Sequence, residues 1–467
     1  MSNHTNVSAD VSLLAEAAGN YGLHTGVLGP VETLAQSVSA VAPSTSPSLT
    51  IPLVMALAGN GTWFVYLAAT CTILLVGFCV SRFARLSASP GSLYTYTAET
   101  LPPIFGYTAA WGLLLAYLAT GASVAGGALY YTNLIGSEFF HRTPPALLTL
   151  LVVCAVAGWV AYLDVKLSAE LMLWIEAISI GLILIVLAAM VVRFGLQIDM
   201  NQLRLRDVHA ATLGPAVVLA IFSFVGFESA TTLGHEVKNP LRTIPRAVLQ
   251  CAILAGLFFM LCSYSEVLGF RGEAASAMES ASPLHQLATK AGISALGMAI
   301  DFGCGFSMLA CVLACTTAAS RVLMRMAREG LLPKALEKTN PKHGTPTAAV
   351  ALSAALMLAA TCVLALRGTA GEQMYDWLGS LAVFGFLTAY ALVALALPFA
   401  RRAAGQHSHA VAVVCVVTIA ALAMIVVFDV QSTADAQHAR IPWIYMGYVA
   451  LGIAWSAFKL RRKTAAA

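Results

Sequence analysis

Glu176, Glu228 and Asp301 are acidic residues that we predict to lie at membrane depth, inside apolar stretches long enough to cross a bilayer. A carboxylate at membrane depth is costly unless it is paired, protonated or hydrated, so such residues indicate an ion or substrate pathway. Burial raises the pKa of a carboxyl group towards the physiological range, so Glu176 has the chemistry to carry a proton. Asp301 either meets a cationic amine or faces a solvated vestibule.

Two apolar stretches also contain residues that interrupt a helix. The first break lies within 37–48, which holds Pro43 and Pro47, and the second break lies within 222–229, which holds Gly226. Non-helical backbone at membrane depth is tolerated only where it is buried in protein or lines a cavity. Each break leaves N–H groups and partial positive charge at the start of the following half-helix. Serine and threonine side chains in the first break are suited to cap that half-helix.

The ends of interrupted helices match the two charged groups of an amino acid. Its carboxylate fits the N–H end of one half-helix, and carbonyl groups of the preceding half-helix accept from its ammonium. The alternative is a proline kink whose serines bond back to their own helix. The residues predicted to bind substrate are Ala42, Pro43, Ser44, Thr45, Ser46, Phe222, Val225, Gly226, Phe227 and, from another segment, Tyr117. The residues predicted to couple an ion are Glu176, Glu228, Thr316 and Thr317.

Composition decides the class of protein in which these residues act. The chain is 59% hydrophobic and 10% charged, against about 25% charged in ordinary soluble domains. This predicts a polytopic membrane protein, and the net charge of +4 indicates no nucleic-acid partner. All ten cysteines lie in apolar segments without a C-x-x-C motif, and the ten histidines lie in loops, tails or span ends. We therefore expect no metal site, no cofactor and no membrane-embedded enzyme.

Counting spans of about 20 apolar residues predicts twelve segments. They are roughly 30–58 (broken), 61–81, 107–136, 145–163, 167–193, 212–235 (broken), 246–270, 293–320, 346–366, 375–399, 409–428 and 441–459. Placing the N-terminus inside puts 18 of the 26 Lys and Arg residues on the cytoplasmic side and 8 outside. By the positive-inside rule, both termini are then cytoplasmic in a multi-pass protein of the plasma (inner) membrane.

Breaks in the first and sixth segments predict two units of five helices. Because each unit has an odd number of spans, the second is inserted upside down relative to the first, as in secondary transporters. The predicted divisions are a cytoplasmic tail (1–29), the first repeat (30–205), the second repeat (206–400), and helices 11 and 12 with a C-terminal tail (401–467).

Three stretches of sequence resemble motifs of the amino acid–polyamine–organocation (APC) superfamily. The stretch 222–247 resembles its sixth-helix signature, 90–96 (Pro-Gly-Ser-Leu-Tyr-Thr-Tyr) its second-to-third-helix motif, and 319–333 the motif that leaves the eighth helix. The order and spacing agree over roughly residues 27–400. Where many members carry Gly-Ser-Gly in the first helix, this chain has Ser-Thr-Ser at 44–46.

The resemblance implies an all-α, leucine-transporter-like membrane fold with a 5+5 inverted repeat and twelve transmembrane helices, of which helices 1 and 6 are broken. It also implies that Phe222 closes over the substrate, and the alternative is that this ring only packs within an apolar helix. By the same resemblance, Glu228 either senses protons or stabilises the unwound segment. Glu176 lies where sodium-coupled relatives bind their ion, so the alternative to proton transfer is that it ligates Na⁺ together with Thr316 and Thr317. We expect a secondary active transporter that takes up a small-molecule substrate across the lipid bilayer by alternating access, with a neutral amino acid as substrate and H⁺ as the coupling ion. The alternatives are a polyamine or other amine transporter, an exchanger, or a sodium-coupled amino acid carrier.

Overall fold

A computed structural model describes residues 21–195, 198–206, 208–273, 282–406, 408–431 and 438–465 of the chain. These residues are almost entirely helical, and the extended pairing within them is limited to isolated bridges, between Leu28 and Val237 and between Asn340 and Thr345. The predicted N-terminal tail lies outside the described residues up to residue 20.

Sixteen α-helices follow one another within the described ranges. They are α1 (Pro30–Val41), α2 (Ile51–Ala58), α3 (Thr62–Ala84), α4 (Ser92–Ala98), α5 (Pro103–Phe140), α6 (Ala146–Leu163), α7 (Val165–Phe194), α8 (Met200–Leu203), α9 (Ala210–Phe222), α10 (Pro240–Gly269), α11 (Pro283–Lys290), α12 (Ser294–Arg328), α13 (Thr347–Leu366), α14 (Gly371–Ala403), α15 (His409–Gln431) and α16 (Ile441–Ala465). Short 3₁₀ or π turns join some of them, at Ser46–Thr50, Gly59–Gly61, Ser229–Leu233, Lys334–Glu337 and His438–Arg440.

Ten helical stretches in the described part of the chain are long and apolar enough to cross a membrane. One of them, Pro30–Ala84, contains the first two predicted segments, and the sixth predicted segment includes a shorter apolar helix, Thr212–Phe222. The chain is thus a multi-pass membrane protein. The exact number of twelve spans and the boundaries of the two repeats stay predictions.

The outer surface of the bundle is apolar, as lipid contact requires. Val192 is 86% exposed, and three tryptophans on three different helices, Trp159, Trp174 and Trp443, are also well exposed. In water such a surface would be costly, whereas hydrocarbon tails solvate it well. The polar residues instead cluster inside the bundle, where α1, α5 and α12 bury most of their residues and α14 about half.

Close helix packing at the centre depends on paired glycines. Helix α14 packs along α5. A Cβ atom at Gly385 would lie 2.5 Å from the carbonyl oxygen of Gly112, and one at Gly371 would lie 2.5 Å from that of Gly126. Small residues at such crossings let two backbones approach each other inside a membrane. This contact fixes α5 and α14 beside the two breaks.

Candidate functional site

The first break follows helix α1. That helix ends at Val41, where Ala42 takes the left-handed conformation with a φ of 49°. The chain resumes as a π turn over Ser46–Thr50 and continues into α2. Among the described residues, no side chain caps this turn, so the expectation of a hydroxyl cap is wrong. Ser48 Oγ instead donates to the Ser44 carbonyl oxygen at 2.8 Å, which is the bond that a simple proline kink predicts.

The second break follows helix α9. That helix ends at Phe222, turns occupy 223–228, and a 3₁₀ segment covers Ser229–Leu233. Gly226 has a φ of 90°, a conformation that other residues rarely adopt. A Cβ atom there would lie 2.9 Å from Ala40 Cβ and 3.0 Å from its carbonyl oxygen. The two breaks therefore meet backbone to backbone, and only glycine permits this approach.

A small cavity of about 10 Å³ lies where the two breaks meet. Its lining residues are Ala40, Val41, Ala42, Thr45, Ser46, Thr120, Val124, Phe222, Val225, Cys311 and Tyr375. The hydroxyl groups of Thr45 and Thr120 are buried without a hydrogen-bond partner among the described residues. Within that same part of the chain, no residue lining this central cavity is charged. The central cavity thus presents unused polar atoms in an otherwise largely apolar space.

A larger cavity of about 550 Å³, here called the vestibule, opens at the end of the bundle that the charge distribution predicts to be extracellular. It is lined by residues from five helices and two turns: Thr50, Leu53, Ala56, Leu57, Thr212, Pro215, Val218, Leu219, Phe222, Tyr375, Asp376, Ser380, Val383, Phe384, Asp429, His438 and Ile441. Phe222 and Tyr375 line both cavities. These two side chains therefore separate the vestibule from the central cavity.

The rings of Phe222 and Tyr375 form an edge-to-face pair with centroids 5.3 Å apart. The Tyr375 hydroxyl is 2.9 Å from Thr50 Oγ1, so it is tied to the turn that follows the first break. Gly379, one turn further along α14, leaves room for the phenylalanine, because a Cβ atom there would lie 2.5 Å from Phe222 Cζ. We call this arrangement the aromatic pair.

The opposite end of the central cavity is closed by polar groups, which we call the inner closure. Glu236 accepts from Arg321 of α12 twice, from Nε at 2.8 Å and from Nη2 at 2.5 Å, and both side chains are buried. Arg321 also donates to the Thr317 carbonyl oxygen at 2.9 Å. Gln36 of α1 donates to the Ala314 carbonyl oxygen at 3.0 Å. The closure thus joins α1, α12 and the chain after the second break.

Backbone bonds extend this closure. The N–H groups of Val27 and Leu28 donate to the Glu236 carbonyl oxygen at 2.8 and 3.0 Å, and Lys238 N–H donates to the Leu28 carbonyl oxygen at 2.8 Å. The entry to α1 therefore runs beside the exit from the second break.

A second group of charges lies just beyond helix α12, and we call it the Arg325 cluster. Arg325 donates to Glu329 at 2.7 Å, lies 3.8 Å from Glu99, and donates to the Tyr21 hydroxyl. Tyr94 donates to Glu329 as well. Burial raises the pKa of Glu329 to about 7. It also raises the pKa of Glu99, against the opposing effect of Arg325.

Glu228 is held by two tyrosines. The Tyr117 hydroxyl donates to Oε1 at 2.9 Å and the Tyr390 hydroxyl donates to Oε2 at 2.5 Å, and all three side chains are buried. Tyr117, predicted to bind substrate, therefore contacts the acid behind the second break and does not line the central cavity. The arrangement ties the second break to α5 and α14.

Glu176 lies on α7 and pairs with Ser307 of α12, whose hydroxyl is 3.0 and 2.9 Å from the two carboxylate oxygens. Thr316 and Thr317 are nine and ten residues further along that helix, roughly 13 to 15 Å at the helical rise. Thr316 Oγ1 donates to the Val312 carbonyl oxygen. The structure therefore does not bring Glu176 to the two threonines with which a sodium site was considered.

Some of the other residues predicted to bind substrate line the central cavity, and the rest lie behind its wall. Ala42, Thr45, Ser46, Phe222 and Val225 line the central cavity. The others are buried nearby without lining it: Pro43, Ser44, Gly226 and Phe227.

Sequence reasoning missed Thr120, Cys311 and Tyr375 in the cavity wall, because they come from helices far from the breaks in sequence. It also missed Glu266 of α10, whose two buried carboxylate oxygens have no hydrogen-bond partner within the described ranges. The signal for Glu266 was available, since it is an acid inside a predicted span.

The sequence matches a known protein family and named relatives. A family model described as amino acid permease matches residues 44–465. The chain is 25% identical over 364 residues to the branched-chain amino acid permease BcaP of Bacillus subtilis, covering 74% of each chain. It is also 25% identical over 342 residues to the low-affinity putrescine importer PlaP of Escherichia coli, covering 71% of this chain and 72% of that relative.

Among solved structures, a manganese transporter of Eremococcus coleocola superposes with a TM-score of 0.60 at 13% identity, over 93% of this chain and 94% of the other. This similarity confirms the predicted all-α, leucine-transporter-like fold. The relatives named by sequence are a permease and an importer, so the predicted transporter is confirmed and an enzyme is excluded. The family model covers most of the chain, and this protein belongs to the amino acid permease family.

Proposed function

We propose that this permease takes up small neutral amino acids, coupled to protons, through the central cavity. The observation that supports this most is the meeting of the two breaks around a small cavity, where the Thr45 and Thr120 hydroxyls have no hydrogen-bond partner among the described residues. Interrupted helices at the centre of a bundle offer N–H groups at one end and carbonyl groups at the other. A zwitterionic amino acid can bind both, with its carboxylate at the N–H groups and its ammonium at the carbonyl groups.

Charge favours a neutral substrate over a cationic one. A second ammonium group on the substrate would need a carboxylate in the cavity wall, because an unpaired charge in a dry site is costly. The described lining holds no acid, and the nearby Glu228 already accepts from two tyrosines. An apolar side chain, in contrast, fits against Ala40, Val41 and Val124.

Glu176 is our proposed coupling residue. It is 2% exposed and bonds to a single hydroxyl residue, Ser307. Among the described residues, Ser307 is its hydrogen-bond partner. A buried carboxylate with so little stabilisation is expected to bind or release a proton when its surroundings change. The hydrogen bond between Glu176 and Ser307 joins α7 to α12. Protonation of Glu176 therefore affects how these two helices pack.

Alternating access follows from the two barriers. The vestibule leads to the aromatic pair, and the inner closure lies on the other side of the central cavity. We propose that substrate enters past Phe222, and that release requires the Arg321–Glu236 pair to separate. Glu228 then keeps the second break attached to its tyrosines during the movement.

The test is uptake of a labelled panel into proteoliposomes under imposed proton or sodium gradients, with wild type and Glu176→Gln. We expect a neutral amino acid to accumulate on an inward proton gradient. Glu176→Gln should retain exchange but lose accumulation, because glutamine releases no proton. Glu170→Gln is the matched control, since this acid lies on the same helix but is exposed beside Lys166.

Other outcomes would overturn separate parts of this proposal. If accumulation follows the sodium gradient, the proposed proton coupling is wrong. If putrescine moves and no amino acid does, the substrate proposal is wrong although the family stands.

One observation favours an amine as the second candidate. Asp376 and Asp429 both line the vestibule, with His438 Nε2 2.9 Å from Asp376. Such acids raise the local concentration of a cation before it reaches the aromatic pair. Asp376→Asn should then lower putrescine uptake while leaving amino acid uptake unchanged.

A further inference from the structure

An unassigned group of ligand-type side chains lies at the vestibule end of the bundle, away from the central cavity. It contains Glu138 near the end of α5, His285 of α11 and Asp301 in the second turn of α12. One ligand atom from each residue lies within 4.8 Å of those from the other two. Three separate helices therefore direct an imidazole and two carboxylates to one point.

The inner two members of the group are held in place. Asp301 is 1% exposed, and its Oδ2 lies 2.7 Å from His285 Nδ1. Its other oxygen accepts from Ser282. His285 lies flat against α12 where Gly297 leaves room, since a Cβ atom at 297 would lie 2.3 Å from the ring. This packing fixes the imidazole beside the carboxylate.

The third member is free to approach. Glu138 is exposed, and the structure gives it neither a hydrogen bond nor an ion pair with any residue it describes. Two carboxylates at this separation repel each other, and one imidazole cannot neutralise both. A divalent cation relieves the repulsion and uses all three groups as ligands.

We propose that Glu138, His285 and Asp301 bind a divalent cation of the Zn²⁺ type at the outer end of the protein. Histidine nitrogen and carboxylate oxygen are suitable zinc ligands, at about 2.0–2.2 Å from the ion. Three protein ligands leave a fourth position for water. The exposed glutamate supplies the movement that closes the ligand set around the ion.

The bound ion adds α5 to the contact that His285 of α11 already makes with Asp301 of α12. Helix α11 packs against α10 and the Ser46–Thr50 turn as well as against α12. Anchoring α11 to α5 and α12 therefore restrains the outer end of the first break. Zinc added from the outside thus inhibits transport without entering the central cavity.

The test is Zn²⁺ binding to purified full-length protein, by calorimetry and by the shift in melting temperature. We expect one saturable site per chain. Glu138→Gln, an exposed change that leaves folding intact, should weaken binding by at least the roughly 10- to 100-fold that loss of an outer-shell partner costs. His285→Ala and Asp301→Asn should abolish binding. His209→Ala, an exposed histidine outside the group, should bind as wild type.

Uptake assays supply the second readout. External Zn²⁺ should inhibit wild type and His209→Ala but not Glu138→Gln. Binding that is absent in wild type, or equal in wild type and Glu138→Gln, overturns the proposal. Because the binding measurement needs no transported substrate, its outcome is independent of the proposed amino acid uptake.

Discussion

The two ends of the central cavity are closed by different chemistry. Towards the vestibule, one ring contact and one hydroxyl bond separate the cavity from solvent. At the opposite end, a buried ion pair with two bonds is reinforced by backbone bonds between the two interrupted segments. The vestibule barrier can therefore yield by rotation of a side chain, whereas the inner barrier needs helices to separate. This difference agrees with the proposal that substrate enters from the vestibule.

Removing one partner of the inner ion pair should have the largest effect. Glu236→Gln leaves the buried Arg321 guanidinium without its carboxylate. We expect the free energy of unfolding to fall by about 3–5 kcal/mol, since an unpaired buried charge is strongly destabilising. Thermal unfolding in detergent measures this effect. Arg321→Leu combined with Glu236→Leu is the control, because removing both charges should restore most of the stability.

Opening the vestibule barrier should change binding more than folding. Phe222→Ala removes an aromatic contact that contributes about 0.5–1.5 kcal/mol beyond the buried area of the ring, so we expect up to about tenfold weaker substrate binding. The loss of stability should be smaller than that of Glu236→Gln. Equilibrium binding of labelled substrate measures the change in affinity. Phe384→Ala, also in the vestibule but stacked on Tyr445, should leave affinity unchanged. A stability loss as large as that of Glu236→Gln would contradict the contrast between the two barriers.

Loss of the tyrosine hydroxyl should have a smaller effect. Tyr375→Phe keeps the ring contact with Phe222 but removes the 2.9 Å bond to Thr50. A bond of this kind contributes about 1 kcal/mol, so affinity should fall by roughly fivefold. Thr50→Val should have the same effect, and the double variant should be no worse than either single one. Additive losses in that double-mutant cycle would show that the hydroxyl acts elsewhere.

The smallest expected effect is the pH dependence of the Arg325 cluster. The pKa of Glu329 is about 7 in the folded protein, against an ordinary value of 4.5. A carboxyl with a raised pKa stabilises the folded state below its ordinary pKa, and that contribution is lost as pH rises through 7. The melting temperature should therefore fall slightly from pH 5 to pH 8. Glu329→Gln should show a weaker dependence than wild type, and an unchanged slope would rule this residue out.

Local sequence signals indicated where the helices stop. Pro43 and Gly226 mark both interruptions, because proline lacks an N–H group and glycine tolerates a positive φ. The length of apolar segments likewise predicted the membrane-spanning helices. These properties depend on a few neighbouring residues, so they can be predicted without knowing what the chain packs against.

Partnerships between distant segments could not be predicted in this way. Tyr375 reaches Phe222 across more than 150 residues of chain, and Tyr117 meets Glu228 across more than 100. The type of a tyrosine does not indicate whether it lines a cavity or bonds to an acid. His285 was assigned to a loop, and only the packing of α11 brings it to Asp301.

The contact between Gly226 and Ala40 also constrains how a substrate can be recognised. Because Gly226 has no side chain, the two interrupted segments meet at contact distance, and we expect them to move together. A molecule that binds only one segment leaves the polar backbone groups of the other segment without a partner. We therefore expect tight binding only when both segments are engaged at once. Simple amines and simple carboxylic acids should compete poorly with a compound that carries both groups on one carbon.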